Sequence, residues 1–423
     1  MTATVPPPED RQPDAVPPPD TGLRPDAGRP SGPAMPAGLP SCAVIDLQAV
    51  RDNVATLVRR AGPASVMAVV KADAYGHGML PVARAALGAG AGWLGVTQIS
   101  EALALRSAGL SVPVLAWLTV PGDAYGPAVA AGIDLGISRR GILDEVARAA
   151  AAHNVTARVH LKIDTGLHRN GAVAAHWPDL VDHALKLQAE GCLRVVGAFS
   201  HLALSDVPGH PLTDSQLAAF RQAVDLAERR GAELEVRHLA NSAAVLTRPD
   251  THFDLVRPGL AVYGLSPLPQ VAGPAELGLR PAMTLMGRIA QVKRVPAGAG
   301  VSYGHTYTTP APTTLALIPL GYGDGLPRHA SGTGPVLLRG RRHRIAGRIC
   351  MDQSVLDLAD PENRTGVCSG DVAVLFGDGL DGGPTAEDWA RAAGTISYEI
   401  VTRLGSRVPR IHRALDPAGG AGS

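Results

Sequence analysis

Short apolar runs alternate with amphipathic stretches along the chain from residue 43 to residue 256. The first run, Ala43–Asp46, is typical of a short strand, and the apolar positions of Leu47–Arg60 recur at helical spacing. Eight further runs predict strands: Val66–Val70, Trp93–Thr97, Val114–Leu118, Ile133–Ile137, Ala157–Ile163, Val195–Ser200, Glu235–Leu239 and Phe253–Val256. Helical periodicity lies between them, in Pro81–Ala89, Ile99–Ala108, Gly141–Ala152, Asp179–Ala189 and Asp214–Arg229. This alternation predicts an α/β fold, a (β/α)8 TIM-like barrel, with a doubly wound open sheet as the alternative.

Polar and reactive residues stand just past the carboxyl ends of the predicted strands. They are Lys71 after the first, Lys162, Asp164 and Arg169 after the fifth, His201 after the sixth, Asn241 and Ser242 after the seventh, and Arg257 and Gly259 after the eighth. In a closed barrel these strand ends converge on one mouth, where barrel enzymes carry out their chemistry. The placement therefore favours the barrel over the open sheet.

The pattern changes after Leu277. Short Val- and Leu-rich runs are bounded there by Gly, Pro and Asp: 314–320, 335–338, 353–358 and 371–376. We predict a barrel domain over residues 41–277 and a mostly β domain over residues 278–415. The strand at 43–46 is expected to join the second domain.

The two ends of the chain have compositions that disfavour a packed core. The first 40 residues hold 12 of the 36 prolines and no apolar run of signal-peptide length. We predict a disordered Pro-rich tail over residues 1–40 and a frayed end over residues 416–423.

Composition excludes several classes of partner and site. Lys and Arg total 39 against 38 for Asp and Glu, so no net charge attracts nucleic acid or an anionic membrane. No stretch of about 20 uncharged apolar residues predicts a membrane span. The 4 cysteines are scattered without a C-x-x-C pair, which is typical of a reducing cytoplasm. We expect no metal site.

Lys71 is the leading candidate for covalent chemistry. An amine at the end of a buried strand is poorly hydrated, which lowers its pKa and suits Schiff-base formation with a carbonyl. On spacing alone, a lysine that extends into solvent is the commoner case. However, Ser242 and Gly259 lie in the two loops that often hold phosphate in barrels, although a helix cap and a turn would explain each alone. Together the three residues indicate a phosphorylated aldehyde cofactor, and pyridoxal 5′-phosphate meets that description.

Six segments of the chain form an ordered set of motifs: Val69-Val-Lys-Ala-Asp-Ala-Tyr-Gly-His-Gly78, Lys162-Ile-Asp-Thr-Gly-Leu-His-Arg169, His238-Leu-Ala-Asn-Ser242, Val301-Ser-Tyr-Gly304, Gly321-Tyr-Gly-Asp-Gly325 and Cys350-Met-Asp-Gln353. Through these segments the chain resembles the alanine racemase family of fold-type III pyridoxal-phosphate enzymes over roughly residues 42–413. Leu167 and His168 stand where the family often has Met and Gly, so we expect altered loop packing there and the same reaction.

The resemblance implies two catalytic bases, Lys71 and a Tyr303 contributed by the other subunit of a homodimer with shared active sites. Racemisation removes the Cα proton from one face and returns it to the other, so one base on each face is the direct solution. A free tyrosine has a pKa near about 10 and needs activation. By resemblance, His201 hydrogen-bonds this tyrosine and contacts Arg257. Arg257 would face the pyridine nitrogen, which stays largely unprotonated because arginine does not release its proton.

The resemblance also implies the remaining site residues. The cofactor would be bound by Tyr75, Asn241, Ser242, Gly259, Leu260 and Tyr398, the amino-acid substrate by Arg169, Tyr322 and Met351, with Lys162 and Asp352 in support.

The implied function is interconversion of L- and D-alanine, which supplies D-alanine for peptidoglycan. A racemase of another small amino acid, such as serine, is the closest alternative, because one side-chain pocket sets this choice. A decarboxylase of the same fold type would require a glutamate at position 257. A non-catalytic pyridoxal-phosphate carrier would lack the second domain.

Overall fold

The computed structural model describes residues 35–413; the predicted end at 416–423 and residues 1–34 of the predicted tail lie outside the described residues. Secondary structure begins with β1 (Ser41–Asp46) and continues into α1 (Leu47–Ala61). The Asp46 carboxylate caps α1, since it accepts hydrogen bonds from the backbone N–H groups of Gln48 and Ala49. Residues 35–40 belong to the predicted tail, yet Met35 is buried against Cys42, Val44 and Met286.

Eight parallel strands form the next unit. They are β2 (Ser65–Val69), β3 (Trp93–Val96), β4 (Val114–Ala116), β5 (Asp134–Ile137), β6 (Ala157–Lys162), β7 (Leu193–Phe199), β8 (Val236–His238) and β9 (Leu255–Val256). The helices between them are α2 (Lys71–Gly76), α3 (Met79–Gly88), α4 (Ile99–Ser107), α5 (Tyr125–Ala130), α6 (Arg140–His153), α7 (Trp177–Ala189), α8 (Pro211–Arg229) and α9 (Ser242–Thr247). Each of the eight predicted strands is present, and the (β/α)8 prediction is confirmed.

The sheet is nearly closed into a barrel. Its strand order is β8-β7-β6-β5-β4-β3-β2-β9, so β8 and β9 stand at the two ends. Backbone hydrogen bonds bring these ends together, from Asp254 N to Arg237 O at 3.2 Å and from Arg257 N to Ala240 O at 2.9 Å. Closure places the carboxyl ends of all the strands around one mouth.

The remainder of the described chain is mostly β structure, as predicted. Its elements are β10 (Met283–Arg288), β11 (Gln291–Val295), β12 (Gly300–Val301), β13 (Tyr307–Thr308), β14 (Thr313–Ile318), β15 (Pro335–Leu338), β16 (Arg341–Arg344), β17 (Ser354–Asp357), β18 (Val372–Phe376), α10 (Ala386–Ala393), α11 (Ser397–Thr402) and β19 (Arg410–Arg413). A six-stranded sheet in this part of the chain has the order β16-β15-β18-β10-β1-β19. In it β1 pairs antiparallel with β10 and parallel with β19.

Two contacts join β19 to the barrel mouth. The Arg410 guanidinium donates from Nε to the carbonyl oxygen of Gly76 at 3.0 Å, and His412 Nε2 lies 2.7 Å from the carbonyl oxygen of His77. The final strand, β19, is therefore fastened to the segment that follows Lys71. Within residues 35–413, none of the helices is long and apolar enough to cross a lipid bilayer.

Candidate active site

A cavity of about 690 Å³ lies at the barrel mouth. Eleven of the site residues predicted from the sequence line this cavity: Lys71, Tyr75, Lys162, Arg169, His201, Asn241, Ser242, Arg257, Gly259, Leu260 and Tyr398. They come from strand ends and loops that are far apart in sequence, and barrel closure brings them together. Tyr398 is supplied by α11, outside the barrel.

A left-handed turn follows Lys71 directly. Residues 72–75 all have φ between 52° and 54° and ψ between 40° and 52°, the mirror image of an ordinary helix. Non-glycine residues pay about 1–2 kcal/mol each for this conformation, so the turn must be held by its surroundings. It points Tyr75 into the cavity beside Lys71, whose Nζ lies 6.0 Å from the centre of the tyrosine ring.

Hydrogen bonds from three directions hold the turn. The Glu101 carboxylate accepts from the backbone N–H of Ala72 at 2.6 Å, and the Asp73 carboxylate accepts from Met79 N at 2.8 Å. Behind the turn, His77 Nδ1 lies 3.0 Å from Ala74 O and 2.9 Å from Tyr75 O. These bonds fix the backbone that carries Lys71, so its amine enters the cavity from a defined position.

The loops after β8 and β9 form a cradle suited to a phosphate. The Ser242 hydroxyl oxygen accepts from Gly259 N at 2.8 Å and from Ala261 N at 3.3 Å, which leaves its own proton available to donate. Gly259 is packed against Tyr75: a Cβ at this position would lie 2.4 Å from the tyrosine hydroxyl oxygen. Leu260 begins a 3-10 helix over Leu260–Tyr263, whose first N–H groups are free of intrahelical partners. The cradle fits the phosphate of pyridoxal 5′-phosphate.

Four cationic side chains line the same cavity, those of Lys71, Lys162, Arg169 and Arg257. Burial, assisted by Arg169, lowers the pKa of Lys71, although Glu101 opposes the shift. Burial and the neighbouring Arg257 and Arg169 lower the pKa of Lys162 to about 8. The surplus of positive charge suits an anionic ligand, and the lowered pKa of Lys71 leaves more of its amine unprotonated, the form that acts as nucleophile or base.

Arg257 is buried at the cavity floor, with 6% of its surface exposed. It donates to Ser200 O at 2.6 Å and to His238 Nδ1 at 2.9 Å, and it lies 3.4 Å from His201 Nδ1. Burial lowers the pKa of Arg257 to about 9, so it stays charged at neutral pH. Burial, and then the charge of Arg257, hold the pKa of His201 well below its ordinary value, so that imidazole is neutral.

Tyr303, Tyr322, Met351 and Asp352 do not line this cavity. Tyr303 is 71% exposed, Met351 53% and Tyr322 40%. Ser302 Oγ donates to Arg348 O at 2.6 Å, and Tyr322 N donates to Cys350 O at 2.9 Å. Segment 348–351 thus connects the turn that holds Tyr303 with the turn that holds Tyr322. The two turns form one exposed surface, here called the tyrosine surface and defined by Tyr303, Tyr322 and Met351. Asp352 forms an ion pair with Arg407 beside it, at 2.7 Å.

Several contacts at and near the cavity escaped the sequence analysis. Trp117 lines the cavity, with its ring centre 5.8 Å from Lys71 Nζ, and Glu101 holds the left-handed turn. His160 lies among apolar residues in the predicted fifth strand, and a histidine inside such a run is a usable signal of a buried polar contact. Nothing in the local pattern marks Trp117 or Glu101, because their roles arise from neighbouring strand ends.

Family models agree with this architecture. The model described as the alanine racemase N-terminal domain matches residues 45–267, and the alanine racemase C-terminal domain matches residues 282–412. The chain belongs to the alanine racemase family.

Individual relatives in this family are similar over nearly their whole length. An alanine racemase of Frankia casuarinae is 59% identical over 377 residues, which are 89% of this chain and 97% of the relative. The solved structure of an alanine racemase from D-cycloserine-producing Streptomyces lavendulae has 54% identity and a TM-score of 0.87, covering 90% of this chain and 98% of that one. The structure of the alanine racemase from Streptomyces coelicolor A3(2) has 56% identity and a TM-score of 0.86, covering 89% and 98%.

Proposed function

We propose that this chain is an alanine racemase that interconverts L- and D-alanine with pyridoxal 5′-phosphate. The observation that carries the proposal is the convergence of Lys71, the phosphate cradle and the buried Arg257 on one cavity at the barrel mouth. Membership of the alanine racemase family supports it. The chemistry that the bound cofactor supplies is acidification of the Cα proton of an attached amino acid.

The residues of the cavity have different roles in binding and in proton transfer. Ser242, the backbone N–H of Leu260, and the hydroxyls of Tyr75 and Tyr398 bind the phosphate, with Gly259 leaving room for its approach and Asn241 as the cap of α9. Arg257 orients the ring through its pyridine nitrogen, and Arg169, supported by Lys162, receives the substrate carboxylate. Lys71 holds the cofactor through its amine and then removes or returns a proton on one face of Cα.

The second face of Cα needs a second base. We propose that Tyr303 of the partner subunit fills this place, with Met351 of the partner subunit at the substrate carboxylate and Tyr322 of the partner subunit narrowing the entrance. Exposure of the tyrosine surface supports this arrangement. Two such sites in a symmetric homodimer would follow from one interface. We further propose that the enzyme acts in the cytoplasm and supplies D-alanine for peptidoglycan.

Two of the alternative functions do not match the chain. Position 257 holds arginine, whereas a decarboxylase of this fold type would place a glutamate there. The mostly β domain is present, whereas a lone-barrel carrier lacks it. A racemase of serine stays open to the assay below, because pockets discriminate weakly between small side chains.

The test of function is a side-by-side assay of the purified protein with L-alanine, L-serine and L-lysine in the presence of pyridoxal phosphate. We expect D-alanine to form fastest. Faster racemisation of serine or lysine would reassign the substrate, and release of carbon dioxide without racemisation would reassign the reaction.

Lys71 provides the test of the cofactor. Because its amine should hold the cofactor covalently, borohydride should abolish the visible absorption of the wild-type protein and fix the cofactor to a peptide containing Lys71. Lys71→Ala should yield no fixed cofactor, whereas Lys186→Ala, on the exposed face of α7, should behave as wild type. Cofactor fixed to Lys71→Ala protein would show that another amine holds it.

A further inference from the structure

Three polar side chains cross the barrel interior, which in this fold is normally filled by apolar residues. Asp134 opens β5 and is 2% exposed, while His160 in β6 and His238 at the end of β8 are fully buried. Asp134 Oδ2 lies 3.0 Å from His160 Nε2, and His160 Nδ1 lies 2.9 Å from His238 Nε2. His238 Nδ1 lies 2.9 Å from the Arg257 guanidinium, which completes a line of contacts to the cavity floor.

The direction of every hydrogen bond in this line follows from Arg257. Arginine only donates, so His238 Nδ1 must accept and the proton of that ring must sit on Nε2. His238 Nε2 then donates to His160 Nδ1, which leaves the proton of His160 on Nε2. That proton is donated to Asp134 Oδ2, an acceptor at neutral pH. One assignment of tautomers therefore satisfies all the groups, and both imidazoles are neutral.

The packing around the two imidazoles holds them in this line. A Cβ on Gly197 would lie 2.3 Å from His160 Nδ1, so the absence of a side chain there makes room for the ring. Trp93 contacts His160 edge-on, with ring centres 5.7 Å apart. Phe199 stacks on His238 at 4.8 Å with an angle of 3° between the ring planes. These contacts pack both imidazole rings closely on their faces and edges.

We propose that Asp134, His160 and His238 form a directional hydrogen-bond relay that fixes the guanidinium of Arg257, with Asp134 as a positioning residue at its far end. Burying a charged guanidinium is costly unless its hydrogen bonds are made, and the relay links it to a carboxylate across the barrel. Arg158 bonds the other oxygen of Asp134 at 3.0 Å and connects it to Glu235 at 2.8 Å. The relay thus runs from the amino-terminal end of the barrel to the cavity.

The relay rests on the proposed function only in that Arg257 faces the cofactor ring. One test of the relay needs no measurement of enzyme activity. Full-length protein labelled with 15N-histidine would be examined by long-range 1H–15N NMR with and without pyridoxal phosphate. His160→Gln and His238→Gln would assign the signals. We expect both rings in the neutral Nε2–H form at neutral pH in both samples. A ring protonated on Nδ1, or on both nitrogens, would overturn the relay.

Variants of Asp134 test the link to the cofactor. Asp134→Leu removes the terminal acceptor and should weaken pyridoxal-phosphate binding by about 10- to 100-fold, the equivalent of one charge-assisted hydrogen bond. Asp134→Asn keeps one acceptor oxygen for His160, while Arg158 retains Glu235, and should lose less. Asp182→Leu is the matched control, because Asp182 is exposed on α7 and pairs with Arg230, which directly follows α8, and neither residue takes part in the relay.

The outcomes separate the two proposals. If Asp134→Leu binds the cofactor as wild type does and its His238 keeps a single Nε2–H form, Asp134 has no positioning role, even if the wild type racemises alanine. If the wild-type tautomers are as expected but no racemisation occurs, the relay stands and the proposed function fails. If Asp134→Leu does not fold, the tautomers of His160 and His238 in the wild-type protein decide whether the relay is correct.

Discussion

His77 shows how one buried residue supports the segment that follows Lys71. Its ring is fully buried, stacks on Tyr263 at 4.5 Å between ring centres, and holds the carbonyl oxygens of Ala74 and Tyr75 through Nδ1. Carbonyls accept only, so the ring proton must sit on Nδ1. Among the described residues, Nε2 has no hydrogen-bond partner, and a second proton there would be buried without compensation. Burial accordingly lowers the pKa of His77 to about 4.

This depressed pKa predicts a pH dependence of stability. An unfolded histidine titrates near about 6.5, so the unfolded state binds more protons than the folded state between pH 4 and 6.5. The contribution of His77 is fully present above about pH 6.5 and is lost as the pH falls toward 4. His77→Gln should reduce the slope of the unfolding free energy against pH in this window by up to about 1.4 kcal/mol per pH unit.

Urea unfolding at several pH values measures that slope. His153→Gln, on the exposed end of α6, is the matched control. Equal slopes for wild type and His77→Gln would mean that His77 titrates alike in the folded and unfolded states.

At the scale of elements, the left-handed turn of residues 72–75 departs most from local preference. The sequence Ala-Asp-Ala-Tyr has no glycine, which is the residue that adopts positive φ without steric cost. Contacts from α4, through Glu101, and from β19, through Arg410 and His412, impose the conformation. Strain of this kind is typical of functional sites, and here it directs Lys71 and Tyr75 into one cavity.

Two glycine substitutions with different expected effects on the free energy of unfolding test the strain in this turn. Ala72 is exposed and has φ of 52°, so Ala72→Gly should be neutral or stabilising by up to about 1 kcal/mol. Ala218 is exposed in the middle of α8, where glycine should cost about 1 kcal/mol. The measurement is the free energy of unfolding of both variants. An equal loss of stability in the two variants would contradict a strained left-handed turn at Ala72.

At the scale of the whole molecule, the proposed site is divided between two surfaces. The cavity holds Lys71, and the tyrosine surface holds Tyr303 without contact to that cavity. A head-to-tail pairing of two copies about a two-fold axis would place each tyrosine surface over the other copy's cavity.

Complementation tests this division. Lys71→Ala and Tyr303→Phe homodimers should each be nearly inactive, because every site lacks one base. After dissociation and mixing in equal amounts, heterodimers should contain one doubly altered site and one intact site. Activity should recover to about a quarter of wild type if the subunits pair statistically. No recovery, despite demonstrated subunit exchange, would place both bases on one chain.

The chain's apolar periodicity determined the barrel, because buried parallel strands read as continuous apolar runs between amphipathic helices. The second domain was less predictable. The run 371–376 predicted β18. Strand β11 (Gln291–Val295) is polar and largely exposed, so no local pattern predicted that it would pair with β14. The helices α10 and α11 were likewise missed inside a region that is mostly β.

The sequence by itself also determined the identity of the candidate site residues, since strand ends and motifs carry the residue types that the chemistry requires. Only the tertiary structure decided which of them meet: barrel closure gathers Lys71, Ser242 and Arg257, and the fold leaves Tyr303 exposed on another surface. It also decided the left-handed turn and the line from Asp134 to Arg257. The physical reason is that these features depend on hydrogen bonds between residues distant in sequence, which local propensity does not encode.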